Sequence, residues 1–207
     1  MAQAVVWDKI ENGSANKSGS VYIKLDANTE TRIRPIADPV EFVKVGATFN
    51  NKYRSVVIDE KDIEAFKAKY PDVKFQRRRA CLAFNRADGQ LGIMEGPMAI
   101  FERFQDYAKI AQINPGGLQG GDFVIKTICP SGKKDRGTSY KVEWIEAVTF
   151  SEEEKAMYNE KKEDLDLQER FKPVVVEEIE RILFTDNPKP EVQAEAPAAS
   201  SGNDLNF

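Results

Sequence analysis

Three consecutive arginines, Arg77-Arg78-Arg79, are the sharpest chemical signal in this 207-residue chain. On a strand, Arg77 and Arg79 share a face with Phe75, while Arg78 points with Ala80, Leu82 and Phe84. Guanidinium groups pair with phosphates, and flat rings or guanidinium planes stack on unpaired bases. A cationic strand flanked by aromatics therefore has the groups that a single-stranded nucleic acid needs. Charged side chains also blunt sheet edges, which is the bland reading of the same triplet.

Three further basic clusters lie in the same part of the chain. Arg32 and Arg34 share a strand face opposite Ile33; Lys52-Tyr53-Arg54 alternates cation, aromatic and cation; Lys133, Lys134 and Arg136 occupy the turn SGKKDRG. Tyr53, Phe75 and Phe84 are the stacking candidates, with Tyr53 equally readable as core. The arginines and lysines of the triplet and the turn are the phosphate candidates. Charge is divided along the chain: residues 1–145 hold 23 Lys/Arg against 18 Asp/Glu, net +5, and residues 146–207 hold 7 against 16, net −9. A basic body suits a polyanion, and an acidic arm suits shielding or protein contacts.

Enzymatic chemistry has little to work with. The chain contains no histidine, which removes Ser-His and Cys-His catalysis and Cys/His zinc sites. Gly132-Lys133 lacks the preceding glycine and following Ser/Thr of a phosphate-binding loop. Pro71-Asp72 and Lys74 resemble the start of a metal-nuclease motif, but the required Glu-x-Lys strand does not follow. No enzyme activity, metal or cofactor is expected. Cys81 and Cys129 are isolated in strand-like runs, as buried thiols of a reducing compartment would be. No stretch approaches the roughly 18 apolar residues of a membrane span, and the expected location is the cytoplasm.

The elements that would position these residues are mostly strands. Residues 1–19 read as a flexible arm. From Ser20 to Phe150, short alternating runs separated by Gly, Pro, Asn and Asp predict antiparallel sheet, with Asp88-Gly89 as a hairpin turn. The runs are Val21–Leu25, Thr31–Ile36, Val40–Phe49, Tyr53–Asp59, Phe75–Asn85, Gln90–Met94, Phe123–Cys129 and Ser139–Phe150. Two helices interrupt them. One follows Asp59 and stops at Pro71; the other opens at Gly96-Pro97 with the stripe Ile100, Phe101, Phe104, Ala108 and Ala111. Ser151-Glu152-Glu153-Glu154 is a capping box opening an acidic helical extension over 151–186, with a further helix from Pro173. Residues 187–207 are Pro/Ala/Ser/Glu-rich and predict a disordered tail. The fold expected is mainly β: an OB-fold-like antiparallel barrel over 20–150 with inserted helices, and a β-sandwich as the alternative.

The body resembles tailed-phage single-stranded DNA-binding proteins with an OB-fold core. The likeness loosely covers residues 20–150. It rests on Thr31-Arg32-Ile33-Arg34-Pro35-Ile36, the Pro39–Phe42 strand start, the basic and aromatic strand Phe75–Phe84, and Gly121-Asp122-Phe123-Val124-Ile125-Lys126. Some such proteins carry a Cys/His zinc subdomain, for which this chain has no ligand set. The tail resembles the acidic, Phe-ending tips of bacterial and phage single-stranded DNA-binding proteins. It has a net charge of −3 from Asp186 to Phe207 and no proline before Phe207.

The resemblance implies sequence-independent coating of single-stranded DNA in replication, recombination or repair, in the host cytoplasm if the protein is phage-encoded. It also implies that Asp204, Leu205 and Phe207 recruit a polymerase, primase or helicase. Self-association stays open, as do two other classes: a protein-interaction or scaffold barrel, and a single-stranded RNA binder.

Overall fold

Alternating apolar and polar residues from Glu30 onward build one continuous strand of 20 residues, where two separate strands were expected. The computed structural model describes residues 21–110, 112, 114–116 and 120–185. The strands are β1 (Tyr22–Ile23), β2 (Glu30–Phe49), β3 (Lys52–Ile58), β4 (Lys74–Asn85), β5 (Gln90–Pro97), β6 (Gly121–Ile128) and β7 (Ser139–Ala147). The helices are α1 (Ile63–Lys69), α2 (Met98–Ile110), α3 (Glu152–Lys161), α4 (Leu167–Arg170) and α5 (Val176–Phe184), with a 3-10 turn at Glu60–Asp62. The expected arm 1–19 and tail 187–207 lie outside the described residues.

The protein is mainly β. Among the described residues, seven strands form a single mixed sheet in the order β1-β5-β4-β2-β6-β7, with β3 also paired to β2. The two ends of this path, β1 and β7, are not paired with each other, so the sheet is not a closed barrel. β1 also departs from the antiparallel expectation, running parallel to β5 through Tyr22↔Ile93 and Ile23↔Met94. Gly92 permits that approach, since a Cβ there would lie 2.9 Å from the Val21 carbonyl oxygen.

β2 is the spine of the sheet. Along one side it pairs with β4 throughout; along the other it pairs first with β6 and then with β3. Its register against β4 jumps from Ile36↔Leu82 to Val40↔Ala80, so three residues oppose one. Pro39 lies in that break, where its missing N–H costs no ladder bond. The bulge keeps Ile36 and Val40 on the same face while letting the strand bend.

Each face of the sheet is covered by helices. Ile100, Phe101 and Phe104 of α2 pack on Ile33, Cys81, Met94, Phe123 and Ile125 to form one core. On the opposite face, Phe42, Leu82, Phe84 and Ile93 are covered by Leu165 and Phe171 from the segment after β7. The Phe42 and Phe171 rings stack at 4.0 Å between centroids and 11° between planes. A third core joins Val43, Val45 and Ile58 to Phe66 of α1 and to Ile179 and Leu183 of α5. The acidic helical segment is thus packed on the sheet through its few apolar side chains. Burying one such large apolar side chain contributes roughly 1.5–3 kcal/mol.

The local signals held. Asp59 caps the 3-10 turn, and Ser151 and Glu154 form the reciprocal capping box of α3. Gly89 takes φ +68° in the β4–β5 turn. The helix expected from Pro173 instead begins at Val176, and α4, capped by Asp166, was not expected. Within the α2 stripe, Ala108 is exposed and Ala111 lies outside the described residues. Among the described residues, no helix is long and apolar enough to cross a membrane.

Cys81 and Cys129 are buried and unbridged. Burial pushes the Cys81 thiol up to about 12. Only the thiolate is nucleophilic, so Cys81 is expected to resist iodoacetamide at neutral pH and to react once the chain is unfolded. Mass mapping of labelled peptides checks this, and labelling of Cys81 in the native protein would contradict its placement.

Candidate nucleic-acid interface

The arginine triplet lies on the N-terminal half of β4, and the structure gives all three guanidinium groups carboxylate partners. Arg77 reaches Glu41 at 2.8 Å and Glu60 at 2.8 Å; Arg79 reaches the other oxygen of Glu41 at 2.8 Å. Hydrogen bonds from Arg77 and then Arg79 hold the Glu41 carboxyl below its ordinary range. On the other face, Arg78 shares Glu95 with Lys44, at 3.2 and 2.7 Å. These acids lie 17 to 38 residues from the arginines they pair with. Phe75, on the Arg77 face, packs partly buried against the third core.

Two expected DNA contacts need correction. Arg34 is fully buried, donating to the Pro115 carbonyl at 2.9 Å and the Pro35 carbonyl at 3.1 Å, with its guanidinium 4.3 Å from the Phe150 ring centroid. Phe84 is 1% exposed and belongs to the second core. Neither can touch a ligand at the surface. Alternation puts Arg34 opposite Ile33, and the β2–β4 register sets it beside Phe84 on the face that the segment beyond β7 covers.

Arg32 and Arg54 also have structural work. Arg32 pairs with the buried Asp122 at 2.8 Å and with Glu146 at 2.6 Å. Asp122 in turn accepts from Arg86 at 2.9 Å, and Arg86 continues to Glu154 of α3. This network ties β2, the β4–β5 turn, β6 and α3 together. Arg54 donates to the carbonyls of Ile182 and Thr185, covering the last carbonyls of α5 as a C-terminal cation does.

What stays accessible forms two groups. The first surrounds Tyr53. Cross-strand partners share a face, so Thr48↔Tyr53, Gly46↔Ser55 and Gly46↔Lys74, and Lys44↔Gln76 place these residues together. Thr48, Ser55, Lys74 and Gln76 are all exposed. Tyr53 is 53% exposed. Its ring lies against Gly46: a Cβ at that position would be 2.6 Å from Tyr53 Cζ and 2.2 Å from its hydroxyl oxygen. The hydroxyl end of the ring is thus laid on bare backbone and the residue remains half open to water. Lys44 and Arg78, sharing one carboxylate, and Lys74 leave this face positive. Lys52 is exposed nearby at the start of β3. Neither Lys52 nor Lys74 has an ion pair among the described residues.

Sequence reasoning names Tyr53 as a stacking candidate but not Gly46, Lys44 or Gln76, and names Lys74 only beside Pro71-Asp72. The available signal was Gly46 itself, an isolated glycine inside an alternating strand, which marks close approach by another group.

The second group is the β6–β7 turn. Lys133, Lys134 and Arg136 are exposed, with no ion pair among the described residues. Asp135, the acid among them, is turned into the loop: its carboxylate accepts from the Ser131 hydroxyl at 2.5 Å and the Gly137 N–H at 2.8 Å. The Ser131 bond, then the Gly137 bond, hold its carboxyl below the ordinary range. Gly132 supplies the positive φ, +76°. The turn follows the Glu30↔Lys126 end of the sheet, whereas Tyr53 lies at the other end of β2. The predicted basic residues are therefore not gathered into one site.

Asp204, Leu205 and Phe207 lie outside the described residues. Neither a family model nor a curated protein matches the chain.

Proposed function

We propose that this protein is a sequence-independent single-stranded DNA-binding protein with an OB-fold-like body, coating DNA in replication, recombination or repair. The observation that carries the reading is the half-exposed Tyr53 ring laid on Gly46 within a positive, otherwise bare sheet face. A fixed ring offers a π-face to any base, and the surrounding cations track the backbone without reading sequence. The turn cations Lys133, Lys134 and Arg136 add phosphate contacts at the other end of the sheet. The acidic, Phe-ending tail is assigned to recruitment of a polymerase, primase or helicase on its resemblance alone.

Titration of fluorescent oligo-dT at several salt concentrations tests this. The five exposed cations of the two groups (Lys52, Lys74, Lys133, Lys134 and Arg136), which make no ion pair among the described residues, give an expected log–log slope of about −3.5 if each meets one phosphate, at roughly −0.7 per contact. A chain shortened to residues 1–186 is expected to bind DNA at least as tightly. Salt-insensitive binding, or preference for duplex, would sink the proposal, and equal competition by oligo-U would move it to RNA.

A further inference from the structure

Away from the Tyr53 face, the C-terminal half of α2 and the edge strand β7 enclose an open groove of about 440 Å³. That volume is within the roughly 300–1,000 Å³ of ligand sites. Its walls are apolar and aromatic: Tyr107 and Ile110 from the helix, Tyr140 and Val142 from the strand. Ile110 is 83% exposed, a large apolar side chain standing in water at the groove wall. Both tyrosines are half-buried and pack against the α2 core.

Tyr107 is held in place. Its hydroxyl accepts from the Trp144 N–H at 3.2 Å and donates to the Val142 carbonyl at 3.5 Å, which covers the open edge of β7. Its ring also meets Phe123 edge-on at 5.4 Å. An anchored ring keeps the groove open rather than collapsing into it, so a ligand meets a preformed wall.

The polar groups define the ligand. Arg103 stands on the helix side and Lys141 on the strand side, both mostly exposed, Lys141 paired with Glu143 at 2.5 Å; exposed pairs of this kind contribute little, so a phosphate can compete with the carboxylates for both cations. Asp106 adds an acceptor, its charge balanced by Arg103 at 3.0 Å. The groove starts at Tyr140, just beyond the turn that carries Lys133, Lys134 and Arg136. Aromatic walls with cations on both sides, continued by a cationic turn, fit a flat heterocycle carrying phosphate.

We infer that the groove between α2 and β7 is a nucleotide site, taking one base of a single strand between its tyrosine walls and the adjoining phosphate between Arg103 and Lys141. This rests on the single-strand reading above and gives the β6–β7 end of the sheet its own contact point. Asp106 is placed to accept from a base N–H, such as N3–H of thymine, and the turn cations lead the next phosphates away.

The test uses the full chain and oligo-dT carrying one 5-iododeoxyuridine. Ultraviolet crosslinking followed by peptide mapping is expected to label the peptides containing Tyr107 or Tyr140. Lys141→Glu and Ile110→Gln, both on exposed side chains, are expected to lower that crosslink about tenfold while leaving any crosslink at Tyr53 unchanged. Tyr53→Ala is expected to do the reverse. Dialysis against dTMP supplies the separate readout. If the oligonucleotide binds but never labels the groove, or the two groove variants crosslink like wild type, the inference is overturned and the function stands. If dTMP binding is lost in Lys141→Glu though oligo-dT does not bind, the groove stands and the coating function falls. Binding of neither ligand overturns both.

Discussion

Asp122→Ala is expected to lower folding stability by about 3–5 kcal/mol, the usual cost of removing one partner of a buried ion pair. Asp122 is 2% exposed and receives Arg32 and Arg86 at 2.8 and 2.9 Å. Deleting its carboxylate leaves Arg86, largely buried, with Glu154 alone, and leaves Arg32 holding only Glu146. It also loosens the tie between α3 and the sheet, because Arg86 bridges the two. Urea denaturation followed by far-UV circular dichroism measures the effect. Asp122→Asn, which keeps an acceptor but not the charge, should fall between wild type and alanine. A loss below about 1 kcal/mol for the alanine variant would show that the network contributes no more than an exposed salt bridge.

The largest effect on binding is expected at Gly46. Gly46→Ala puts a methyl group where the Tyr53 ring lies, 2.2 Å from its hydroxyl oxygen and 2.6 Å from Cζ. These atoms are the far end of a flexible side chain, so the ring is displaced, while the Arg54 carbonyl oxygen of β3, 3.1 Å from the new methyl group, gives by a few tenths of an ångström. The expected result is a loss of oligo-dT affinity of about 5- to 150-fold, corresponding to about 1–3 kcal/mol for one stacked base. Tyr53→Ala should match it, and Tyr53→Phe should retain most of the affinity because the π-face survives. Fluorescence anisotropy at one fixed salt concentration compares the three. Wild-type affinity in Gly46→Ala, with Tyr53→Ala impaired, would show that ring placement is not what the site uses.

The arginine triplet shows how chemistry can be legible while availability is not. Strand alternation correctly assigned Arg77 and Arg79 to one face and Arg78 to the other. Nothing local could say that Glu41, Glu60 and Glu95 would meet them, because those contacts are made by β2, the 3-10 turn and β5. Arg34 is the sharper case. Its face was readable, yet its burial comes from Phe150, more than a hundred residues away, and from the loop at Pro115. Conversely, Tyr53 was ambiguous in sequence between core and surface. It is resolved by Gly46, Ser55 and Lys74 lining up across β2, β3 and β4.

Sequence alone determined the features that depend on near neighbours. The capping box at Ser151, the turn at Asp88-Gly89, the helix ended before Pro71 and the alternating strands all follow from backbone preferences within a few residues. Tertiary structure decided the rest: that β1 pairs in parallel, that the sheet stays open, and which cations remain unpaired. Strand register and helix docking are set by apolar contacts between segments distant in the chain, and those contacts fix which carboxylate reaches which arginine. The sequence contains all the basic residues of a polyanion binder. The fold assigns most of its arginines to internal acids and leaves Tyr53, Lys74 and the β6–β7 turn facing water.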